Sequence, residues 1–376
     1  MLKVAIVGCG KIADAHAAQI QRIGGAEIVA VCDTEPLMAR QLAERYQVKQ
    51  QFVDLERLLS EARPDVVHIT TPPESHFTLT AMCLEQGCHV YVEKPFTLNY
   101  PEAQQLIALA EQKGLKVTAG HDAQFGHAAR RMRELVQSGY LGGDPVHLES
   151  YYCYELGDSS YVRALLTDKQ HWVRRLPGKL LHNIISHGVA KVAEFLRGDS
   201  PQVIAHGFVS PFLQRMGESE LVDELRVIIH DEQDTTAYFT FSSQMRPVLH
   251  QLRVYGPKNG FVIDQDQETL IRLSGKRGKS YLEKFVPPIE YSRQYLKNLS
   301  MNMSAFLKRD FHMSAGMYYL IESFYRSITQ GTSVPISYRE ILIIAKLMDD
   351  IFGQVNERNE QPASQRTASR IKVVSR

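Results

Sequence analysis

The chain has 376 residues, 44% of them hydrophobic and 23% charged, with a formal net charge of +1. That length exceeds one ordinary core and accommodates two domains. The balanced charge leaves no global field to draw nucleic acid or a membrane, so partners have to be read from local sites.

The opening Met1-Leu2-Lys3-Val4-Ala5-Ile6-Val7 enters an apolar run directly, with neither a basic lead nor a small-residue cleavage site, which argues against a signal peptide. No run approaches the roughly 20 apolar residues of a membrane span. The five cysteines are odd in number and form no Cys-x-x-Cys pair, as expected of a protein of the reducing cytoplasm.

Up to about residue 120, short Val- and Ile-rich runs alternate with amphipathic stretches. The runs are residues 3–7, 27–32, 66–70, 89–92 and 116–119; the helical patterns include 36–46, 75–86 and 100–113. Near-continuous apolar strands separated by helices predict a parallel sheet covered on both faces. After Gly120 the pattern changes. A helix over 128–138 leads into longer strand-like runs at 146–154, 202–209, 225–229, 235–241, 247–255 and 260–264, interrupted by one helix at 180–196. Helices over about 314–329 and 338–353 follow, and residues 356–376 read as a polar, disordered tail.

Gly8-Cys9-Gly10-Lys11-Ile12-Ala13 stands where the first strand turns into a helix. Gly8 suits a tight turn, Gly10 admits a pyrophosphate, Ala13 permits close helix–strand packing, and the helix N-terminus offers free N–H groups at Lys11 and Ile12. Asp33, closing the second strand, is placed for the ribose hydroxyls and repels a 2′-phosphate. NAD is therefore favoured over NADP. At the end of a later strand stands Glu93-Lys94-Pro95, where ligands of open parallel sheets gather.

These features in order, with Thr71-Pro72-Pro73-Glu74-Ser75-His76 after the fourth strand, resemble the Gfo/Idh/MocA oxidoreductases, and the resemblance runs to about residue 355. It implies an α/β chain: an N-terminal Rossmann domain with a doubly wound parallel sheet (residues 1–122), then a C-terminal α+β domain with a large, mostly antiparallel mixed sheet (123–355). It further implies cofactor contacts from Thr71, Pro72, His76 and Glu93, with Lys94 beside nicotinamide and substrate.

The family's active-site helix motif is matched by Gly178 to Ala190, placing His187 at the catalytic histidine position. Asn183 stands for the usual Asp and Ala190 for a later one, so no carboxylate relay is available at 183. His182 is a weaker substrate candidate. Gln124 and His121 occupy places where the family commonly has Arg and Tyr; His121 and Asp122 either contact substrate or cap the next helix.

The implied reaction is NAD-dependent oxidation of a secondary alcohol of a sugar, polyol or nucleotide-activated sugar, or its reverse. Alternatives are an NAD-dependent glycoside hydrolase and a non-catalytic ligand sensor of the same fold. A homodimer or homotetramer through the C-terminal sheet is implied. No metal site, nucleic-acid partner or integral membrane segment is expected.

Two segments exceed a minimal member. Residues 155–176 contain Trp172, a possible substrate contact. Residues 272–312 carry nine Lys/Arg against three Asp/Glu, interleaved with aromatics and Met. Lids over a phosphate-bearing sugar, an oligomer arm or solvated loop, and a membrane-surface element all fit such segments.

Overall fold

The computed structural model describes residues 1–155, 166, 168–275, 278–311 and 315–360. The first part alternates strand and helix: β1 (Leu2–Val7), α1 (Lys11–Ile20), β2 (Ala26–Cys32), α2 (Pro36–Tyr46), β3 (Gln50–Phe52), α3 (Leu55–Ala62), β4 (Val66–Ile69), α4 (His76–Glu85), β5 (His89–Val92), α5 (Tyr100–Gln112) and β6 (Val117–Ala119). The strands form one six-stranded sheet in the order β3-β2-β1-β4-β5-β6, every neighbouring pair parallel. This is the doubly wound arrangement, with its switch point between β1 and β4, where a ligand crevice opens at the strands' carboxyl ends.

Local chemistry accounts for these elements. Asp54 and Asn99 cap α3 and α5, accepting from Arg57 N and Glu102 N, which satisfies helix donors that would otherwise lack partners. Strands β1, β4 and β5 are almost wholly buried, as strands sandwiched between helices must be. The short β3 was not anticipated: it has three residues, two of them exposed glutamines, and so no apolar run to betray it.

The second part opens with α6 (His127–Gln137) and β7 (His147–Glu155), followed by α7 (Lys179–Ile184), α8 (Ser186–Ala193), β8 (Gln202–Phe208), α9 (Pro211–Arg215), β9 (Glu224–His230), β10 (Thr236–Ser242), β11 (Gln244–Tyr255), β12 (Asn259–Asp264) and β13 (Thr269–Ser274). Its seven-stranded sheet runs β13-β12-β11-β7-β10-β9-β8. All pairs are antiparallel except β7 with β10.

The single helix expected over 180–196 is two, hinged at Ile185. The hinge lets α8 lie close on the sheet: a Cβ on Gly188 would overlap the Phe239 ring and approach Tyr152 Cβ to 2.8 Å.

Three helices close the chain: α10 (Val286–Leu307), α11 (Ala315–Gln330) and α12 (Tyr338–Glu360). Met317, Leu320, Ile321, Phe324 and Tyr325 of α11 turn back into the core of the parallel sheet. Helix α12 serves both cores, Ile341 joining the first and Ile344, Leu347, Met348, Ile351 and Phe352 the second. It continues to Glu360, past the expected end at residue 353 and into the stretch expected to be disordered from 356, because Val355 is still buried and helix propagation costs little once a turn is formed. The remainder of that tail, residues 361–376, lies outside the described residues, as do residues 156–165 and 167 of the long segment after β7.

Candidate active site

The carboxyl ends of β1, β2, β4 and β5 assemble the expected cofactor crevice. Gly8 has φ +89, and a Cβ there would lie 2.7 Å from Thr71 Cγ2, so the first turn needs a glycine to pass beneath the loop after β4. Gly10 caps α1 and faces open space, with nothing within 4 Å of an added Cβ. Lys11 and Ile12 are exposed in the first turn of α1, and Ala13 is wholly buried behind them. Asp33 Oδ2 accepts from Cys9 N at 2.7 Å and Oδ1 from Glu35 N at 2.9 Å, which fixes the half-buried carboxylate beside the glycine turn. An open turn, unpaired helix N–H groups and an acid at β2 fit a dinucleotide.

Thr71 and Pro72 lie at the crevice, half-buried and exposed. His76 is instead wholly buried: Nδ1 lies 2.8 Å from Pro95 O and Nε2 2.9 Å from Thr71 O. It ties the loop after β4 to the loop after β5 and reaches a ligand only through those backbones.

Lys94 leaves β5 toward α7, its Nζ donating to Asn183 O at 3.0 Å. The backbone carbonyl thus engages the ammonium at the position where the side-chain carboxylate is missing. Glu93 does not pair with that ammonium. Its buried carboxylate accepts from Lys94 N at 3.2 Å and bonds His16 Nε2 at 2.9 Å.

Beyond His16 a buried chain continues, with His16 Nδ1 2.8 Å from His68 Nδ1, and His68 Nε2 2.8 Å from Tyr325 OH. The Glu93 carboxylate accepts from His16 Nε2–H, and along the rest of the chain the donor at each nitrogen depends on the tautomer. Tyr91 stacks on His68 at 4.7 Å and seals the chain from water. Burial alone would raise the Glu93 carboxyl, but the His16 hydrogen bond and charge, with Lys94 beside it, outweigh that and hold it below the usual range.

His187, on α8, lies near Lys94 with its Nδ1 3.9 Å from Asp122 Oδ1. Burial, then the charges of Lys94, His121, Lys191 and His250, keep it well below the ordinary imidazole range, so it is neutral at pH 7. Burial and the charge of Glu93 push Asp122 up to about 6, against the opposing pull of Lys94. Asp122 is thus a carboxylate close to the His187 ring, where position 183 offers none. His121 is buried, 6.3 Å ring to ring from His187, and burial lowers it to about 4.

Tyr152 forms the floor of the site. Its ring lies 5.5 Å from His187 and 4.5 Å from His250, and Lys191 Nζ stands 5.1 Å from its centroid.

Other candidates lie elsewhere. Gln124 Nε2 donates to Ala190 O, Glu194 and Glu340, pinning α8 to α12. His182 points from α7 onto Phe352, ring to ring at 4.8 Å, and burial lowers it to about 4. Trp172 packs with Val173, Leu180, Leu213 and Leu221 in a small separate core. His16, His68, Tyr325, Lys191 and His250 were not picked out from sequence. Each sits singly in an apolar pattern, and only His16, three residues beyond the glycine motif and on the same helix, had a local signal. Among the described residues no group of three His, Cys, Asp or Glu could hold a metal, and no helix is long and apolar enough to cross a membrane.

Residues 2–121 match the family model described as an oxidoreductase family with an NAD-binding Rossmann fold. Over that span the chain carries the Rossmann domain of the Gfo/Idh/MocA oxidoreductases. Proteins similar to it include D-glucoside 3-dehydrogenase of Escherichia coli K12, 35% identical over 142 residues, which are 38% of this chain and 40% of that enzyme. Myo-inositol 2-dehydrogenase of Thermotoga maritima is 22% identical over 305 residues, 79% of this chain and 86% of the relative.

Among solved structures, the WlbA dehydrogenase of Bordetella pertussis in complex with NADH and UDP-GlcNAcA superposes with a TM-score of 0.75 at 14% identity, covering 95% of this chain and 96% of that one. At that identity the likeness concerns the fold. The matched family model is NAD-binding, and the crevice around Gly8, Gly10 and Asp33 fits such a cofactor.

Proposed function

We propose that the protein is an NAD-dependent dehydrogenase oxidising a secondary alcohol of a sugar, polyol or nucleotide-activated sugar to a ketone, or catalysing the reverse. The observation that carries this reading is the meeting of Lys94, from the end of β5, with the α7–α8 segment bearing His187, Lys94 Nζ standing 3.0 Å from Asn183 O. The substrate classes are those in the names of its relatives.

NAD, when bound, supplies the hydride acceptor. The Lys94 ammonium, anchored on the Asn183 carbonyl, hydrogen-bonds the alcohol oxygen and stabilises negative charge as it develops. Neutral His187 accepts the hydroxyl proton, directly or through Lys94. Ionised Asp122, 3.9 Å away, then stabilises the imidazolium. Glu93 and the chain behind it position Lys94 through its backbone N–H. Asp33 takes the ribose hydroxyls, and Trp172 and His182 hold the substrate-side helix through packing.

The exposed face of the second sheet carries a row of Ile204, Ile228 and Tyr238 across β8, β9 and β10. It supplies the self-association surface for a homodimer or homotetramer.

The test is a panel of polyols, sugars and nucleotide sugars scored for NADH formation, with Lys94→Ala as control. That variant should keep NAD affinity within a few-fold and lose turnover by about a hundred- to a thousandfold, the scale of removing a transition-state donor. Undiminished turnover would refute the assignment. Glycoside cleavage without net NADH would show instead that the cofactor cycles within a hydrolase.

A further inference from the structure

Helix α10 lies along β13, the edge strand of the second sheet, and it is attached by amide side chains rather than by apolar packing. Gln294 accepts from Arg272 N at 2.8 Å and donates to Arg272 O at 3.1 Å. One turn on, Asn298 accepts from Leu270 N and donates to Leu270 O, both at 3.0 Å. A turn further, Asn302 donates to Gln267 O at 2.9 Å. The spacing i, i+4, i+8 puts the three amides on one helix face, where they satisfy the edge groups another strand would otherwise pair.

A surface helix ordinarily turns its apolar stripe inward. Here the inward face is polar and the stripe faces out. Phe285, Ile289, Leu296, Leu299, Met303, Phe306 and Leu307 are each between 52% and 78% exposed. At roughly 200 Å² per large side chain they present about 900 Å², beyond the few hundred a monomer ordinarily leaves bare. The amide ladder fixes the rotation of the helix, so this stripe cannot roll inward.

The charges beside the stripe are mainly basic, Glu290 being the one acid that the helical period places on the same flank. Arg293, Lys297 and Lys308 follow one flank of the outward face, with Lys284 and Arg309 at its ends. The acids on the helix and its leading turn are Glu283 and Glu290 alone. Apposing a second copy along this face would set basic flank against basic flank, whereas an anionic surface complements it.

We propose that α10 is a docking helix for an anionic lipid bilayer. It lies in the interface plane, its outward stripe in the acyl boundary and Arg293, Lys297 and Lys308 at headgroup level. The proposal is independent of the catalytic reading.

The test uses the full chain in co-sedimentation with vesicles of phosphatidylglycerol mixed into phosphatidylcholine, and with phosphatidylcholine alone. Binding to the mixed vesicles, weakened by salt and absent on phosphatidylcholine, is the expected result. The combined Leu296→Ser, Leu299→Ser, Met303→Ser variant should lose binding at least tenfold. The Arg293→Glu, Lys297→Glu variant should lose it comparably. Both should retain the parent's circular dichroism and melting temperature, because the substituted side chains face out. Failure of the parent chain to sediment, or equal binding by the Ser variant, overturns the proposal. A loss of subunits by the Ser variant in light scattering, without vesicle binding by the parent, assigns the face to a second copy.

Discussion

Lys191→Met should stabilise the fold, and by an amount that depends on pH. Lys191 is 3% exposed on α8, its ammonium nitrogen has no hydrogen-bond partner among the described residues, and it stands over the Tyr152 ring face at 5.1 Å. Burial carries its pKa from 10.5 to about 7, with the charges of Asp266 and Asp264 opposing. At about 1.4 kcal/mol per pH step, the ammonium costs the folded state about 5 kcal/mol more than the neutral amine.

The pH dependence has a definite sign. Below pH 7 both folded and unfolded lysine are charged and the full penalty applies. From about 7 to 10.5 the unfolded chain holds a proton that the folded chain has shed, so stability rises with pH and the penalty disappears at the upper end. Methionine fills the same volume and never charges. The advantage of the variant should therefore be about 4 kcal/mol at pH 7 and about 2 kcal/mol at pH 9. Urea unfolding of both proteins at the two pH values measures it. Parallel stability profiles, or a variant less stable at pH 7, would show that the lysine is not paying a desolvation penalty there.

Two further outcomes concern the site. Asp122 is pushed up to about 6 by burial and Glu93, so if its anion stabilises protonated His187, kcat should climb through that pH. Asp122→Asn should flatten the limb and lower the plateau about tenfold or more; a wild-type profile in the variant would sink the role. Asp33→Ala removes the carboxylate that sits beside the glycine turn. It should raise KM for NAD and narrow the preference over NADP by at least tenfold, and an unchanged ratio would mean that Asp33 does not read the ribose.

Much of the fold was readable because strand burial in a parallel sheet leaves continuous apolar runs, and because a glycine turn has few steric alternatives. The course of β1, β4 and β5 and the identities of Gly8, Asp33 and Lys94 follow from such local rules. The amphipathic period of residues 286–307 misleads the same reasoning, since it identifies a stripe without saying which way it faces. The orientation comes from Gln294, Asn298 and Asn302 finding the backbone of an edge strand, a contact between elements.

The substitution at Asn183 shows the same division. The resemblance implies a carboxylate at that position, and the sequence has an amide there. Only the tertiary structure decided that the Asn183 carbonyl oxygen receives Lys94 and that Asp122, 65 residues behind His187 in sequence, stands 3.9 Å from its ring. Likewise the chain from Glu93 through His16 and His68 to Tyr325 draws on β5, α1, β4 and α11. Periodicity constrains residues within one element, whereas a site is a meeting of elements, and the packing of two cores through α11 and α12 sets which residues meet.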